Sequence, residues 1–295
     1  MPAPTSFTPH TVISLVPSVT ESLFDLQLGN RLIGITDYCV HPADQVAQLP
    51  RLGGTKNPDV QRIIAMQPDL VIMNTEENRR EDADALQNAG VTVWATGPQT
   101  VAEAINLLWE IMDVFDEAAM VPRVRHIEQV FDYTALAAKN MPSLRVFVPI
   151  WRDPWMTFNA QTYTHDLLSN LGAVNVFAER ERRFPLKAEY GDITPLVDDD
   201  PRVAGRDTRY PRVSLAEIEA AQPEVVLLPN EPYQFTEKDA AEFYQLDIPA
   251  AQHGTIYLID GSLLTWHGTR LSLALTELPP MLDEFRARLA DKGKD

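Results

Sequence analysis

The chain has 295 residues, 45% of them hydrophobic and 23% charged, which is the balance of a folded globular protein with room for two cores. A formal net charge of −17 excludes the basic footprint of a general DNA or RNA binder, so no nucleic-acid partner is expected. No stretch approaches the ~18 apolar residues of a membrane span, and a single cysteine, Cys39, excludes an intrachain disulfide.

The opening "MPAPTSFTPHTVISLVPS" has no basic stretch, and Ser14 and Pro17 break its apolar run. It does not read as a secretory signal, and the expectation is a cytoplasmic protein. "HTVISLVPS" (10–18) predicts a short buried strand and a loop, and "TESLFDLQLG" (20–29) a helix capped by Thr20 and stopped by Gly29. "RLIGIT" (31–36) is a second strand, and "NPDVQRIIAM" (57–66) a short helix with Asn57 as cap and Pro58 at its first position. A strand "DLVIMN" (69–74), a helix ending at Gly90, a strand "VTVWAT" (91–96) and an amphipathic helix over 100–115 follow. Strands alternate with helices and read as continuous apolar runs, the pattern of a parallel sheet covered on both faces. Residues 116–140 carry Val121, Val124, Ile127 and Phe131 at helical spacing; as one helix of ~24 residues they span about 36 Å, with Pro122 near the first turn.

The second half repeats the outline: a strand at 143–150, a helix within 163–177, a short helix at 214–221 capped by Ser214, and a strand at 224–229. A helix at 237–246, a strand at 255–260 and a closing helix from about Thr269 with a break at Pro279-Pro280 complete it. The most specific internal signal is a pair of stretches, "NPDVQRIIAMQPDLVIMN" and "VSLAEIEAAQPEVVLLPN". Each runs from a short helix through Gln-Pro and an acidic residue into a buried strand. The chain therefore reads as α/β, with two Rossmann-like lobes (8–115 and 141–295) joined by one long helix (116–140) and a ligand cleft between them. Residues 178–212 are charged, proline-rich and without period, and read as a long irregular insertion.

These lobes, with Pro-Ser-x-Thr-Glu at 17–21, Gly-Gly-Thr-Lys-Asn-Pro at 53–58 and the Pro-Asp-Leu-Val strand, resemble the helical-backbone metal receptors. These are the periplasmic-binding proteins that carry cobalamin and iron–siderophore complexes for ABC importers. "DPWMTFNAQTYTHDLLSNLGAVNVF" and "DGSLLTWHGTRLSLAL" are similar to the cobalamin-binding branch, and the resemblance runs from about Val12 to about Leu289. It implies a monomer that binds a metal chelate, cobalamin first, without chemistry, without an intrinsic cofactor and without a protein-bound metal. It also implies an ABC permease partner, met through an acidic residue on each lobe; Glu81 and Glu242 are the candidates.

Candidate ligand residues follow independently from the rule that open α/β sheets bind beyond the carboxyl ends of their strands. The loops selected are Pro17–Glu21, Asp37–His41, Asn74–Asn78, Trp151–Tyr163, Asn230–Phe235 and Gly261–Arg270. Trp151, Trp155 and Trp266 lie in them, and either stack on a flat macrocycle or seal loops against the core; Trp94 and Trp109 fit a core. Tyr38 is a candidate wall, while neighbouring Cys39 and His41 fall short of the three or four ligands of a zinc site. Thr55 and Lys56 follow two glycines, a plain turn or a ligand-facing one. Glu76 and Glu77, then Glu231 and Tyr233, occupy matching strand ends. Arg152, His267 and Arg270 complete the set; Arg270, at a helix start, opposes the helix dipole and calls for an anionic partner. No dinucleotide fingerprint, nucleophile elbow or zinc helix appears, which weighs against an enzyme. The alternatives are a ferric siderophore or haem binder, and an enzyme using the same cleft.

Overall fold

The computed structural model describes residues 3–4, 7–197 and 199–291. The chain divides into two compact units, Met1–Val130 with Trp266–Leu273, and Phe131–Thr265 with Ala274–Asp295.

In the first unit, strands β1 (Val12–Ser14), β2 (Leu32–Ile35), β5 (Leu70–Asn74) and β6 (Val93–Thr96) form a parallel sheet in the order β2-β1-β5-β6. A two-residue antiparallel pair, β3 (Gly53–Gly54) and β4 (Asn57–Pro58), lies between β2 and β5 in sequence. The second unit builds a parallel sheet from β7 (Leu144–Phe147), β8 (Ala173–Asn175), β9 (Val225–Pro229) and β10 (Ile256–Ile259) in the order β10-β9-β7-β8. Counted from the opposite edge, both sheets have the order second-first-third-fourth. The order reverses between the first and third strands, the place where such sheets leave a crevice at their carboxyl ends. β5 and β9, third in each sheet, are buried along their whole length, as a strand covered on both faces requires.

The repeated Gln-Pro junction has one geometry in both copies. Gln67 (φ 49°) ends the helix Val60–Met66 and Gln222 (φ 47°) ends Leu215–Ala221, each in the left-handed conformation that closes a helix. Pro68 and Pro223 then forbid its continuation. In the first unit Asp69 accepts the backbone N–H groups of His10 (2.8 Å) and Thr11 (2.9 Å), fastening the entry of β5 to that of β1. Ile13, Leu15, Ile63, Val71, Met73 and Leu86 form the core beneath these strands.

Several boundaries differ from the sequence expectation. Thr20 is no cap: the helix starts at Pro17, which suits its first position, and Thr20 Oγ1 bonds back to Ser14 Oγ (2.9 Å) and the Val16 carbonyl (3.0 Å). Pro17–Glu21 is thus the first turns of a helix rather than a loop. Asn57 and Pro58 do not start the next helix, because β4 holds them extended; Asp59 caps it, accepting the Arg62 N–H at 3.0 Å. The connecting helix is Val121–Ala138, 18 residues and so about 27 Å long, with Pro122 in its first turn. β8 does not read as a strand in the sequence, because it has only three residues and only two separate it from the helix Tyr163–Asn170. The closing helix runs Leu271–Asp291 straight through Pro279 and Pro280. The lobe expected over 141–295 also gives up Trp266–Leu273, which packs with the first unit because Ser22 Oγ accepts the Thr269 N–H (3.1 Å) and Glu21 pairs with Arg270. Among its described residues the 178–212 stretch is irregular apart from a 3-10 turn at Leu186–Tyr190 and a bridge from Arg212 to Met156.

Ser214 caps its helix in a reciprocal box: its Oγ accepts the Glu217 N–H (3.2 Å) while Glu217 accepts the Ser214 N–H (2.9 Å). Ser214→Ala is expected to lower unfolding stability by about 1 kcal/mol in urea denaturation; an unchanged midpoint contradicts the box.

Candidate functional site

In the first unit, polar side chains cluster where β1 and β5 end. Asn74, the last residue of β5, is 5% exposed. Its Oδ1 accepts the backbone N–H of Glu76 (2.7 Å) and of Glu77 (3.3 Å), which fixes the orientation of the amide. Nδ2 is thereby left facing His267 Nε2 at 3.3 Å, so Nε2 is an acceptor and the ring proton sits on Nδ1. Ser18 Oγ lies 3.5 Å from the same ring. Asn78 Oδ1 accepts the Asn74 N–H (2.7 Å), and its Nδ2 donates to the Leu15 (3.3 Å) and Thr55 (2.9 Å) carbonyls. Burial pushes the His267 pKa down to about 4, and a second ring proton would meet the Asn74 amide donor head on.

Around this seam the sequence-derived residues gather. Lys56 Nζ donates to the Glu76 carbonyl at 2.5 Å. Tyr38 is 62% exposed, and its ring lies against Gly54, where an added Cβ would come within 3.3 Å of Cε2. Trp266 is only 8% exposed, edge-on to His41 (5.7 Å), with the Arg270 guanidinium over its ring at 5.4 Å. Arg270 has the anionic partner its position demanded: Nη1 meets Glu21 Oε1 at 2.9 Å, both side chains nearly buried. Cys39 is fully buried between the Thr20 and Thr36 hydroxyls (3.2 Å each), and burial raises its thiol pKa. Among the described residues no group of three or more His, Cys, Asp or Glu side chains could hold a metal ion.

In the second unit the strand-end loops carry an aromatic series. Trp151, 45% exposed, meets Tyr233 edge-on at 5.6 Å. Tyr233 packs on Phe235 (4.7 Å), and Phe235 stacks parallel on Trp155 (5.9 Å). The series thus leads from solvent into the core. Trp155, expected either to stack on the ligand or to seal a loop against the core, is 8% exposed and packs against Phe243 (5.0 Å). Trp109 is only partly buried, with Arg125 over it at 5.7 Å. Arg152 covers the Trp155 ring at 5.5 Å and is clamped by Asp239 and Glu242. Burial works against the Asp239 carboxylate, but hydrogen bonds from Thr236 and Arg152 hold its pKa below the usual value. Glu242 is therefore engaged inside its own unit, whereas Glu81 stands exposed in the first turn of the helix Arg80–Asn88. Glu231 likewise turns inward and accepts the Thr265 hydroxyl at 2.8 Å.

A family model described as "Periplasmic binding protein" matches residues 12–263. The chain belongs to that family. A vitamin B12-binding protein of Vibrio cholerae is 20% identical over 260 residues, 88% of this chain and 83% of that one. Two solved structures share the fold: the periplasmic vitamin B12 binding protein BtuF of Vibrio cholerae (TM-score 0.74, 19% identity, 95% of this chain and 99% of that one) and the periplasmic heme-binding protein RhuT from Roseiflexus sp. RS-1 (TM-score 0.69, 19% identity, the same coverage). Among the described residues no helix is long and apolar enough to cross a membrane.

Sequence reasoning missed the asparagines that organise this family member's strand ends. Asn74 and Asn230 are the last letters of the two repeated stretches, and Asn230 Oδ1 accepts the Gly261 N–H at 2.8 Å much as Asn74 receives its own loop. Their shared place in the repeat was the available signal. The partners Glu21, Asp239 and Phe235 carried none, being set by tertiary contact.

The His267 ring is neutral in the folded state below its ordinary pKa of 6.5 and down to about 4. The unfolded chain takes up that proton first, so stability falls as pH drops through this window. The difference corresponds to up to about 3 kcal/mol. His267→Gln is expected to flatten the fall between pH 6.5 and 4, and NMR should show no ring titration above pH 5; a midpoint near 6.5 contradicts the buried neutral ring.

Proposed function

We propose that this chain captures a corrinoid of the cobalamin type without transforming it, as the substrate-binding component of an ABC importer. The observation that carries the reading is charge compensation at the candidate residues. Arg152 is neutralised by Asp239 and Glu242, and Arg270 by Glu21, on a chain whose net charge is −17. An anionic ferric catecholate needs uncompensated cations and would be repelled by such a body. A corrinoid presents a broad ring edged by neutral amides, which suits exposed aromatic faces with polar groups beside them. Trp151, Tyr233 and Tyr38 supply those faces; Thr55, Lys56 and Glu77 supply donors and acceptors. Trp155, Trp266, His267 and Arg270 act as the supports behind them. The cobalt of a corrinoid needs no protein ligand. Exposed Glu81 suits a permease contact, while Glu242 would have to leave Arg152 to make one.

A second reading, haem, is favoured by one observation. Tyr38 presents a phenol at 62% exposure, with His41 in the same loop, and both are donors that haem iron accepts.

Titration with cyanocobalamin, haem and a ferric catecholate, followed by tryptophan fluorescence and visible absorbance, separates the readings. Saturable quenching by cyanocobalamin alone is expected, with Trp151→Ala weakening it by about tenfold. A shifted haem absorption band that disappears in Tyr38→Phe favours the second reading, and quenching by none of the three overturns both.

A further inference from the structure

We propose that residues 178–212 build a second ligand site, separate from the strand-end surfaces, that takes a small organic carboxylate with an aromatic or alkyl body. Two adjoining cavities lie in this segment and share Phe184 and Leu196. One, of about 490 Å³, is walled by Phe184, Leu186, Ile193 and Leu196, with Arg202 and Arg206 beside them. The other, of about 310 Å³, is flanked by the mixed run Glu179, Arg180, Glu181, Arg182 and Arg183. The larger falls in the size range of small-molecule sites, which pair an apolar lining with a few polar groups.

The walls are held without a ligand. Glu189, 1% exposed, accepts the Arg183 N–H at 2.6 Å and the Arg212 N–H at 3.3 Å, and its carbonyl accepts from the Arg180 guanidinium at 2.8 Å. The Leu196 N–H donates to the Phe184 carbonyl at 2.9 Å, closing the segment on itself. Phe184 is the hinge of the two cavities, with the Arg206 guanidinium over its ring at 5.0 Å and that of Arg182 at 5.7 Å. Arg202 is occupied by both oxygens of Asp200 (2.9 and 2.7 Å). Arg182 likewise faces Glu189 Oε1 at 3.9 Å, so the geometry places the anion at Arg206, and the apolar body against Leu186 and Ile193, each 43% exposed.

Charge explains why an anion is admitted here. The segment contains eight basic and eight acidic residues, so the whole net charge of −17 resides elsewhere. The segment itself adds no net repulsion for an organic anion, and a planar guanidinium pairs with a carboxylate through charge-assisted hydrogen bonds. The same carboxylate without an apolar body has nothing to place on the Leu186–Ile193 side, which sets the ligand class.

The test uses the full chain with 1-naphthoate and its neutral analogue 1-naphthamide, measured by calorimetry and ligand-observed NMR. One saturable site is expected, with naphthamide weaker by about tenfold for loss of the charge-assisted contact. Arg206→Gln should bring naphthoate down to the naphthamide level, and Ile193→Asp should remove both while the thermal transition stays in place. Naphthoate binding that is absent, equal to that of naphthamide, or unmoved by both variants overturns the proposal. Displacement of naphthoate by cyanocobalamin also overturns it, by placing the anion on the surfaces described above.

Discussion

The organisation of the first unit depends on the direction in which one side-chain amide points. Asn74 ends a fully buried strand, and its carbonyl oxygen receives the N–H groups of the loop that follows. That leaves a donor, and only a donor, aimed at His267. The ring must then stay neutral, and the segment Trp266–Leu273, drawn in from late in the sequence, is fixed against the ends of β1 and β5. A buried polar group is tolerated when its hydrogen bonds are satisfied. Here that requirement helps fix the segment that carries Trp266 and Arg270, with Trp266 edge-on to His41.

The second unit meets the same topological constraint with different chemistry. Its strand-end loops are held by an aromatic series from Trp151 to Phe243 and by a guanidinium clamped between two carboxylates. Compensated arginines stiffen loops and cover ring faces without leaving a net positive field. On a strongly acidic protein, the proposed corrinoid reading takes such surfaces as suited to shape, stacking and neutral hydrogen bonding rather than to charge.

The alternation of strands and helices, the doubled Gln-Pro junction and the resulting α/β repeat were legible in the sequence, because each rests on local periodicity or on backbone chemistry. Gln-Pro ends both short helices here through local backbone chemistry, and Ser214 with Glu217 forms its box from neighbours three residues apart. The requirement of an anion for Arg270 was legible too, since it follows from the helix dipole, but its identity as Glu21 was not. Trp155 could not be told from Trp151 by sequence: both sit in one loop, and only packing against Phe235 and Phe243 sends one inward. Asn57 was misread because two glycines upstream allowed a tiny β pair to hold it extended. Three-residue β8 was too short to show a period at all.

The central claim is that affinity comes from aromatic faces and neutral polar groups, with the nearby arginines already neutralised inside the chain. The dissociation constant of cyanocobalamin, measured by calorimetry across a series of salt concentrations from low to about 0.5 M, tests it most directly, because exposed charge interactions are screened over that range. The account predicts tight binding that hardly changes with salt. Affinity that collapses as salt rises, or no binding of the corrinoid at any ionic strength, would contradict it.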